Sequence, residues 1–362
     1  MKRSEKKYDS VKKLILKGIR DGTYPPGAKI PTEDEIMRIL GFSRSPVRHA
    51  ISLLEQEGFV YKIHGSGSFV KQTFEEDPID IYALLYPDSK GIEKDFIHGM
   101  RQAVNHSKIR DLHLILKKPG RTTAETIDIL QSIPSDRKVG VIIVPFVDRD
   151  RANNRLLAAN LRKLEKNNVT VVQLDRCVPG YEGNCVTSDH RSGAYEMTRH
   201  LIEHGHRNIA VILEHPEHSS IKLRLQAVKE CLAAEKIPLP ETNLRDIPVQ
   251  DIRRKSNRIL GLVRKDQVTA VFCFECEIAL EIHRLFQTHN IRIPEDVSLC
   301  SFDDHCYTGQ QQGFLTAVVQ PLEELGYFAV DLILRELEKR SPQPIKLTME
   351  PSIIERRSVA SI

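Results

Sequence analysis

The sequence predicts an α/β protein in three parts. A small winged helix-turn-helix (residues 1–70) is joined by a linker (71–80) to a two-lobed domain with parallel sheets (81–362). Three observations carry that prediction. Two segments of helical period meet at Gly41, with only Phe42 and Ser43 between them, and a glycine-rich hairpin pattern follows. From Ile81 onward, continuous apolar runs alternate with helix-period segments, as parallel strands covered on both faces require. The charge is also uneven. Residues 1–74 hold 14 Lys+Arg against 8 Asp+Glu, a net +6, whereas the rest holds 39 against 41, a net −2.

In chain order, Tyr8, Val11, Leu14, Ile15, Gly18 and Ile19 recur at helical spacing and give a first helix. Asp21-Gly22 and Pro25-Pro26-Gly27 end it. Thr32 and Glu35 have the spacing of a capping box, so a second helix starts there. Ile36, Ile39 and Leu40 share one face of it, and Gly41 stops it. Ser43 suits the N-cap of a third helix, whose buried stripe is Val47, Ala50, Ile51 and Leu54 and whose end is Gly58.

Arg44, Ser45 and Pro46 fall in the first turn of that third helix, with Arg48 and His49 just beyond. First-turn amides lack an acceptor within the helix, so Pro46 is tolerated there. The same amides attract phosphate, and the arginines can reach phosphates or guanine edges. Residues 59–63 and 68–70 flank His64-Gly65-Ser66-Gly67 and read as a wing whose tip can approach a duplex closely. A basic excess confined to this small domain is what phosphate binding needs.

In the larger domain, strands are expected at 81–85, 112–116, 139–144, 169–174, 208–213, 269–274 and 298–302. Helices are expected at 92–105, 124–132, 153–167, 193–204, 221–236, 252–265, 278–289 and 324–338. Two such lobes in series form a clam-shell, with ligands at the carboxyl ends of the strands. That rule marks Pro87–Ser89, Phe146, Asp175-Arg176, Glu214, Glu275–Glu277 and Asp303-Asp304 as candidate ligand residues. Neighbours on a strand point to opposite faces, so only one of Asp303 and Asp304 enters the cleft easily.

Composition excludes several classes. The first residues are basic with no apolar run behind them, so no secretory signal is expected, and no run approaches the length of a membrane span. Seven scattered cysteines fit a reducing cytoplasm. Cys273 and Cys276 have no second pair and read as core cysteines. His200 and His204 stand one helical turn apart without the intervening glutamate of zinc proteases. With His206 they read as dipole partners at a helix end, and Asp189 reads as a cap. No catalytic residues, metal or cofactor are expected.

Residues 8–70 resemble the gluconate-repressor (GntR) family of winged helices. The resemblance rests on Gly22, Pro26-Gly27, Ile30-Pro31-Thr32-Glu33, Ser43-Arg44, Val47-Arg48, Leu53-Leu54, Glu57-Gly58 and the His64-to-Val70 wing. It implies DNA contacts from Arg44, Ser45, Arg48, His64 and Gly65, with Pro46 standing where the family often has a contacting threonine. Asp34 replaces an arginine found in some members. Residues 174–332 are similar to the lactose-repressor (LacI) effector domain and its periplasmic sugar-binding relatives. The matches include Leu174-Asp175-Arg176, His200 to Ile209, Arg224 to Val228, Ile293 to Ser298, Phe302-Asp303-Asp304 and Gln320-Pro321.

The whole then looks like a DNA-binding domain joined to a periplasmic-binding-protein-like effector domain, a pairing that resembles the arabinose repressors. Residues 71–80 lack a helical apolar stripe, so the minor-groove helix of lactose-type repressors is expected to be missing. The resemblance implies a cytoplasmic, homodimeric repressor of sugar-utilisation genes on an inverted-repeat operator. Its effector would be a small sugar such as L-arabinose, or a sugar phosphate, held by Arg176, Arg224, Glu275 and Asp303. Glu275-Cys276 stands where the sugar-binding relatives have Asn-Asp. The alternative is a cytoplasmic sugar-binding or sugar-processing protein that uses the N-terminal domain for docking.

Overall fold

The structure is a computed structural model that describes residues 2–71, 78–85, 91–109, 111–120, 122–135, 137–305 and 313–362. Most of the expected linker (72–77) and the candidate ligand residues Pro87–Ser89 lie outside the described residues. The chain divides into two compact units between residues 77 and 78.

The first unit holds helices α1 (Lys2–Arg20), α2 (Glu33–Leu40) and α3 (Arg44–Gln56), then the antiparallel pair β1 (Val60–Ile63) and β2 (Gly67–Val70). Its core is made by Val11, Ile15 and Ile19 of α1, Ile36 of α2, and Val47, Ala50, Ile51 and Leu54 of α3, closed by Val60 and Val70. The capping box forms: the Thr32 amide donates to the Glu35 carboxylate at 2.7 Å, and Thr32 Oγ1 accepts from the Glu35 amide at 3.3 Å. Gly41 caps α2 at φ 65°, in the left-handed region, where its amide donates to the Met37 carbonyl.

Two expectations are corrected here. Ile39 is 59% exposed, because the apolar stripe of α2 runs through Ile36, Met37 and Leu40, one residue round from the expected face. Ser43 holds the N-cap position of α3, but its side chain makes no capping bond.

The second unit contains two sheets. The first lobe's sheet has the order β13-β7-β6-β5-β3-β4. Its strands are β3 (Ile79–Leu84), β4 (Leu112–Lys117), β5 (Val139–Ile143), β6 (Thr170–Leu174), β7 (Asn184–Ser188) and β13 (Lys346–Met349), all paired in parallel. Helices α4 (Glu93–His106), α5 (Thr123–Gln131), α6 (Arg151–Lys166) and α11 (Leu322–Glu338) cover it. The second lobe's sheet has the order β14-β12-β11-β10-β8-β9. It comprises β8 (Ile209–Leu213), β9 (Leu244–Asp246), β10 (Ala270–Cys273), β11 (Ser298–Phe302), β12 (Thr316–Val319) and the antiparallel edge strand β14 (Ser352–Ile354). It packs against α7 (His190–Glu203), α8 (Ser219–Ala234), α9 (Ser256–Arg264) and α10 (Cys276–Thr288).

The lobes are interleaved rather than arranged in simple series. Helix α11, which follows the second lobe's strands in the chain, returns to the first lobe, where Leu325, Ala329, Val330 and Ile333 pack with Phe96 and Met100 of α4. Close approach of α4 and α11 depends on two glycines. A methyl group at Gly99 would overlap the Glu323 carbonyl, and one at Gly326 would overlap the Phe96 carbonyl. Strand β13 then joins the first sheet and β14 the second, so the chain crosses between lobes repeatedly. Strands β7, β9, β12, β13 and β14 were not expected. Helix α9 begins at Ser256 rather than residue 252, after a short 3-10 turn at Val249–Asp251.

Candidate functional site

In the first unit, Arg44, Ser45 and Pro46 form the opening turn of α3, and Arg48 stands one turn on. The arginine side chains are 56% and 64% exposed, but both are engaged. Arg44 Nη2 donates to Asp34 Oδ1 at 2.5 Å. Arg48 donates from Nε and Nη2 to the two Glu33 oxygens, each at 3.3 Å. Both carboxylates belong to the first turn of α2. Arg44, Ser45, Arg48, His49 and Ser52 line one shallow depression. The His49 ring packs edge-on against Tyr8 of α1, with centroids 5.2 Å apart.

His64 and Gly65 sit at the exposed tip of the β1–β2 hairpin. Gly65 has φ 76° with open space where a Cβ would stand. A side chain there is opposed by the backbone conformation, not by crowding within the protein. Amide and guanidinium groups at an exposed helix start, and an exposed glycine-containing tip, can meet phosphates and groove edges.

In the second unit, Arg176, Arg224, Glu275 and Asp303 all line one cavity of about 330 Å³ between the lobes. Arg176 follows β6, Glu275 follows β10, and Asp303 follows β11, so each occupies the carboxyl end of a strand. Arg224 reaches in from α8 and is 4% exposed. Its guanidinium donates to the Phe274 carbonyl, lies 3.2 Å from His190 Nδ1, and stacks 3.5 Å over the Phe302 ring. Burial lowers its pKa, opposed by Asp303, Asp175 and Glu275 around it. Burial and the Arg224 charge push His190 down to about 4. The neutral ring accepts from Arg224 at Nδ1 and donates from Nε2 to the Asp175 carbonyl at 2.9 Å.

Two carboxyl groups in this cavity are displaced upward. Burial, then repulsion from Glu214, raises Glu275 to about 8. Burial raises Asp303 to about 6 against the pull of Arg224, while Gln320 Nε2 donates to both its oxygens at 3.1 and 2.9 Å. Asp175 goes the other way: burial alone would raise it, but the charges of Arg176 and Arg224 hold it below the ordinary carboxylate range. Arg176 donates to Asp175 at 3.0 Å and to His218 Nδ1 at 2.9 Å, the second contact crossing between lobes. Burial and Arg176 hold His218 down to about 3, so it is neutral.

Buried polar atoms of this lining that lack a hydrogen-bond partner include Asp175 Oδ1, His218 Nε2, Arg224 Nε, Glu275 Oε2 and Gln320 Oε1. Buried polar groups are nearly always paired, and leaving one unpaired costs about 1–3 kcal/mol. Several in one cavity therefore mark a surface built to bond something polar.

The other sequence candidates divide between this lining and positions outside it. Phe146 is 42% exposed and packs edge-on against His215 and His218, with centroids 6.1 and 5.9 Å away, outside this lining. Glu214 lines the cavity but spends Oε2 on the Val249 amide at 2.8 Å. Asp304 pairs with Arg356 at 2.6 Å, whereas Asp303 faces the cavity; both lie beyond the end of β11, where Asp303 has φ 67°, so a turn and not strand alternation separates them. Cys276 also lines the cavity, buried in the first turn of α10. Asp189 caps α7 by accepting from the Ser192 amide at 2.7 Å.

Sequence reasoning missed Gln320, His190 and His218 as lining or bracing residues. Gln320 follows β12, a four-residue strand too short to read from periodicity, so its strand-end position stayed hidden. His190 opens α7 and braces Arg224 from a second layer, a role no local pattern announces.

Comparison with known proteins agrees with this division. Residues 7–70 match the family described as bacterial regulatory proteins, gntR family, and residues 198–359 match the periplasmic binding protein-like domain. The arabinose metabolism transcriptional repressor of Geobacillus stearothermophilus is 26% identical over 361 residues, 98% of each chain. That of Halalkalibacterium halodurans is 25% identical over 98% of this chain and 97% of its own. Among solved structures, the transcription regulator CcpA of Lactococcus lactis superimposes with a TM-score of 0.66 at 19% identity, covering 78% of this chain and 99% of its own. The chain joins a GntR-type helix-turn-helix domain to a periplasmic-binding-protein-like domain of the LacI type.

Proposed function

We propose that the chain is a DNA-binding transcriptional repressor of sugar-utilisation genes, released from its operator by a small neutral sugar. The observation that carries the proposal is the presence on one chain of an exposed arginine face at a helix N-terminus and a cavity of unpaired polar atoms. Arg44, Ser45, Arg48, Pro46 and the His64-Gly65 tip meet DNA. Arg176, Arg224, Glu275 and Asp303 meet the effector. The arabinose repressors that the chain resembles over nearly its full length support L-arabinose as the first sugar to test.

The chemistry of the cavity favours a neutral polyol over a phosphorylated sugar. Its lining holds Glu93, Asp175, Glu214, Glu275, Glu277 and Asp303 against Arg176 and Arg224. A phosphate dianion would enter among carboxyl groups, and both guanidiniums are already flanked by acceptors. A sugar hydroxyl donates and accepts at once, which suits an unpaired set that contains both acceptors and donors. The volume lies at the low end of the roughly 300–1,000 Å³ of small-ligand sites.

The protein acts as a homodimer on an inverted repeat, because one winged helix reads only a short half-site. Selection of binding sites from random duplexes, followed by calorimetry with free and phosphorylated pentoses and hexoses, tests the proposal. We expect an enriched palindromic site whose affinity falls when a free sugar binds. No enriched duplex would leave the sugar-binding alternative; a sugar that binds without changing DNA affinity would remove the release step.

A further inference from the structure

The C-terminal turn of α7 carries a second cluster, away from the interlobe cavity. The rings of His200 and His204 are tilted at 46° to each other with centroids 4.2 Å apart. His204 Nδ1 lies 2.8 Å from the His200 carbonyl oxygen, which can only accept, so the proton sits on Nδ1 and the lone pair on Nε2. That Nε2 is 3.5 Å from Glu355 Oε1. His200 Nε2 is buried and has no hydrogen-bond partner. One ligand atom from each of His200, His204 and Glu355 lies within 4.8 Å of the others.

We propose that His200, His204 and Glu355 form a zinc site that fastens the end of α7 to the segment following β14. Helical i,i+4 spacing puts two imidazoles on one face, and the third ligand arrives from the far end of the chain. The pair alone therefore reads as a helix end, and only the fold completes the set. Zinc takes imidazole nitrogen and carboxylate oxygen at about 2.0–2.1 Å, so two tetrahedral ligand atoms stand about 3.3 Å apart. The 3.5 Å His204–Glu355 separation already fits, and a ligand atom of His200 lies within 4.8 Å of both. Two histidines and a glutamate leave the fourth position to water.

The His204 Nδ1–H bond to a backbone carbonyl is the outer-layer contact that fixes tautomer and ring angle in metal sites. Nearby groups supply contrast. His206 has both ring nitrogens engaged, Nδ1 with Thr269 Oγ1 at 3.0 Å and Nε2 with the Ala360 carbonyl at 3.1 Å, so it is not a ligand. The comparable cluster of His215, Glu217 and His218 is flanked by cations: Arg149 pairs with Glu217, and Arg176 bonds His218. A metal ion is disfavoured there.

The test uses the full chain, stripped of metal with a chelator, then titrated with Zn²⁺ by calorimetry and with Co²⁺ by visible absorption. We expect one saturable site per chain, tetrahedral cobalt bands, and a thermal midpoint that rises with zinc. His200→Gln and His204→Gln should each weaken zinc on the order of a hundredfold, Glu355→Gln on the order of tenfold, and His215→Gln not at all. Circular dichroism in chelator establishes that each variant folds. If His200→Gln does not, His204→Gln and the exposed Glu355→Gln carry the test. Absence of saturable binding at micromolar zinc overturns the proposal. So does zinc affinity that survives in both His204→Gln and Glu355→Gln, or affinity that depends on His215.

Discussion

Arg44 and Arg48 project from α3 into solvent, yet α2 supplies a carboxylate to each before DNA arrives. Exposed ion pairs contribute little to stability. If these arginines meet DNA as proposed, the pairs set where the guanidiniums wait and what DNA must displace. Arg44→Ala and Arg48→Ala should each weaken operator binding about five- to hundredfold if the side chain makes a bidentate base contact. Asp34→Ala releases Arg44 to phosphate. We expect tighter binding to any duplex and a salt dependence steeper by about one phosphate contact, measured by fluorescence anisotropy across a salt series. Weaker operator binding in Asp34→Ala would instead assign Asp34 a base of its own, since carboxylates accept from cytosine.

Glu275 gives a second test at the same scale. Its folded pKa, about 8, stands above the ordinary 4.5 because of burial and Glu214. The folded state therefore favours the protonated acid. The stability this gives relative to the ionised form is fully present below about 4.5 and is lost as pH rises through about 8. Glu275→Gln removes the ionisation. Its thermal midpoint should gain on the wild type as pH rises from about 6.5 to 9. Parallel midpoints over that range would mean that Glu275 is ionised in the folded protein throughout. Asp303, raised to about 6, titrates below this window.

At the scale of elements, legibility followed locality. The three helices of the first unit and the hairpin carry their own caps, periods and glycines, so each could be read from a few neighbouring residues. The long strands β3, β5 and β6 read well because all their residues are buried, which leaves a continuous apolar run. Strands β9 and β12 to β14 have three or four residues each, and their pairing is set by distant partners. The position of α11 was likewise invisible, because its apolar stripe suits either lobe.

What fixes α11 on the first lobe is the reciprocal fit of Gly99 and Gly326 against opposing carbonyls. Neither Gly99→Ala nor Gly326→Ala can be absorbed by a flexible side chain, since backbone is the obstacle. Overpacking of this kind typically costs about 1–3 kcal/mol. Each variant should lower the urea midpoint of the second unit, and the double variant should lose less than the sum, because one helix separation relieves both clashes. Unchanged midpoints would show that α4 and α11 can part without loss. The site followed the same rule. Strand-end residues such as Arg176, Glu275 and Asp303 were legible, whereas His190 and Gln320 depend on helices and strands meeting.

For the whole molecule, the question is how occupancy of the cavity reaches DNA. The cavity takes Ile92, Val144 and Arg176 from the first lobe and Glu214, Arg224 and Glu275 from the second, so a ligand held there can bond both. The lobes already touch across the cleft. Arg149 pairs with Glu217 at 3.4 Å and Asp246 at 3.3 Å, and the Cys177 amide donates to Ser219 Oγ at 2.9 Å. A ligand that supplies partners to Asp175, Arg224, Glu275 and Gln320 together stabilises whichever lobe angle lets all four bond at once. If that angle disfavours the DNA-bound form, affinity for operator falls, and a tenfold loss corresponds to about 1.4 kcal/mol of coupling. Coupling of this kind is reciprocal. Saturating operator must weaken the sugar by the same factor by which the sugar weakens operator, a comparison that calorimetry with and without duplex makes directly. Arg224→Ala and Asp303→Ala should abolish sugar binding while leaving operator affinity intact and no longer sugar-sensitive. A sugar affinity identical with and without saturating operator would show that cavity and DNA surface are uncoupled.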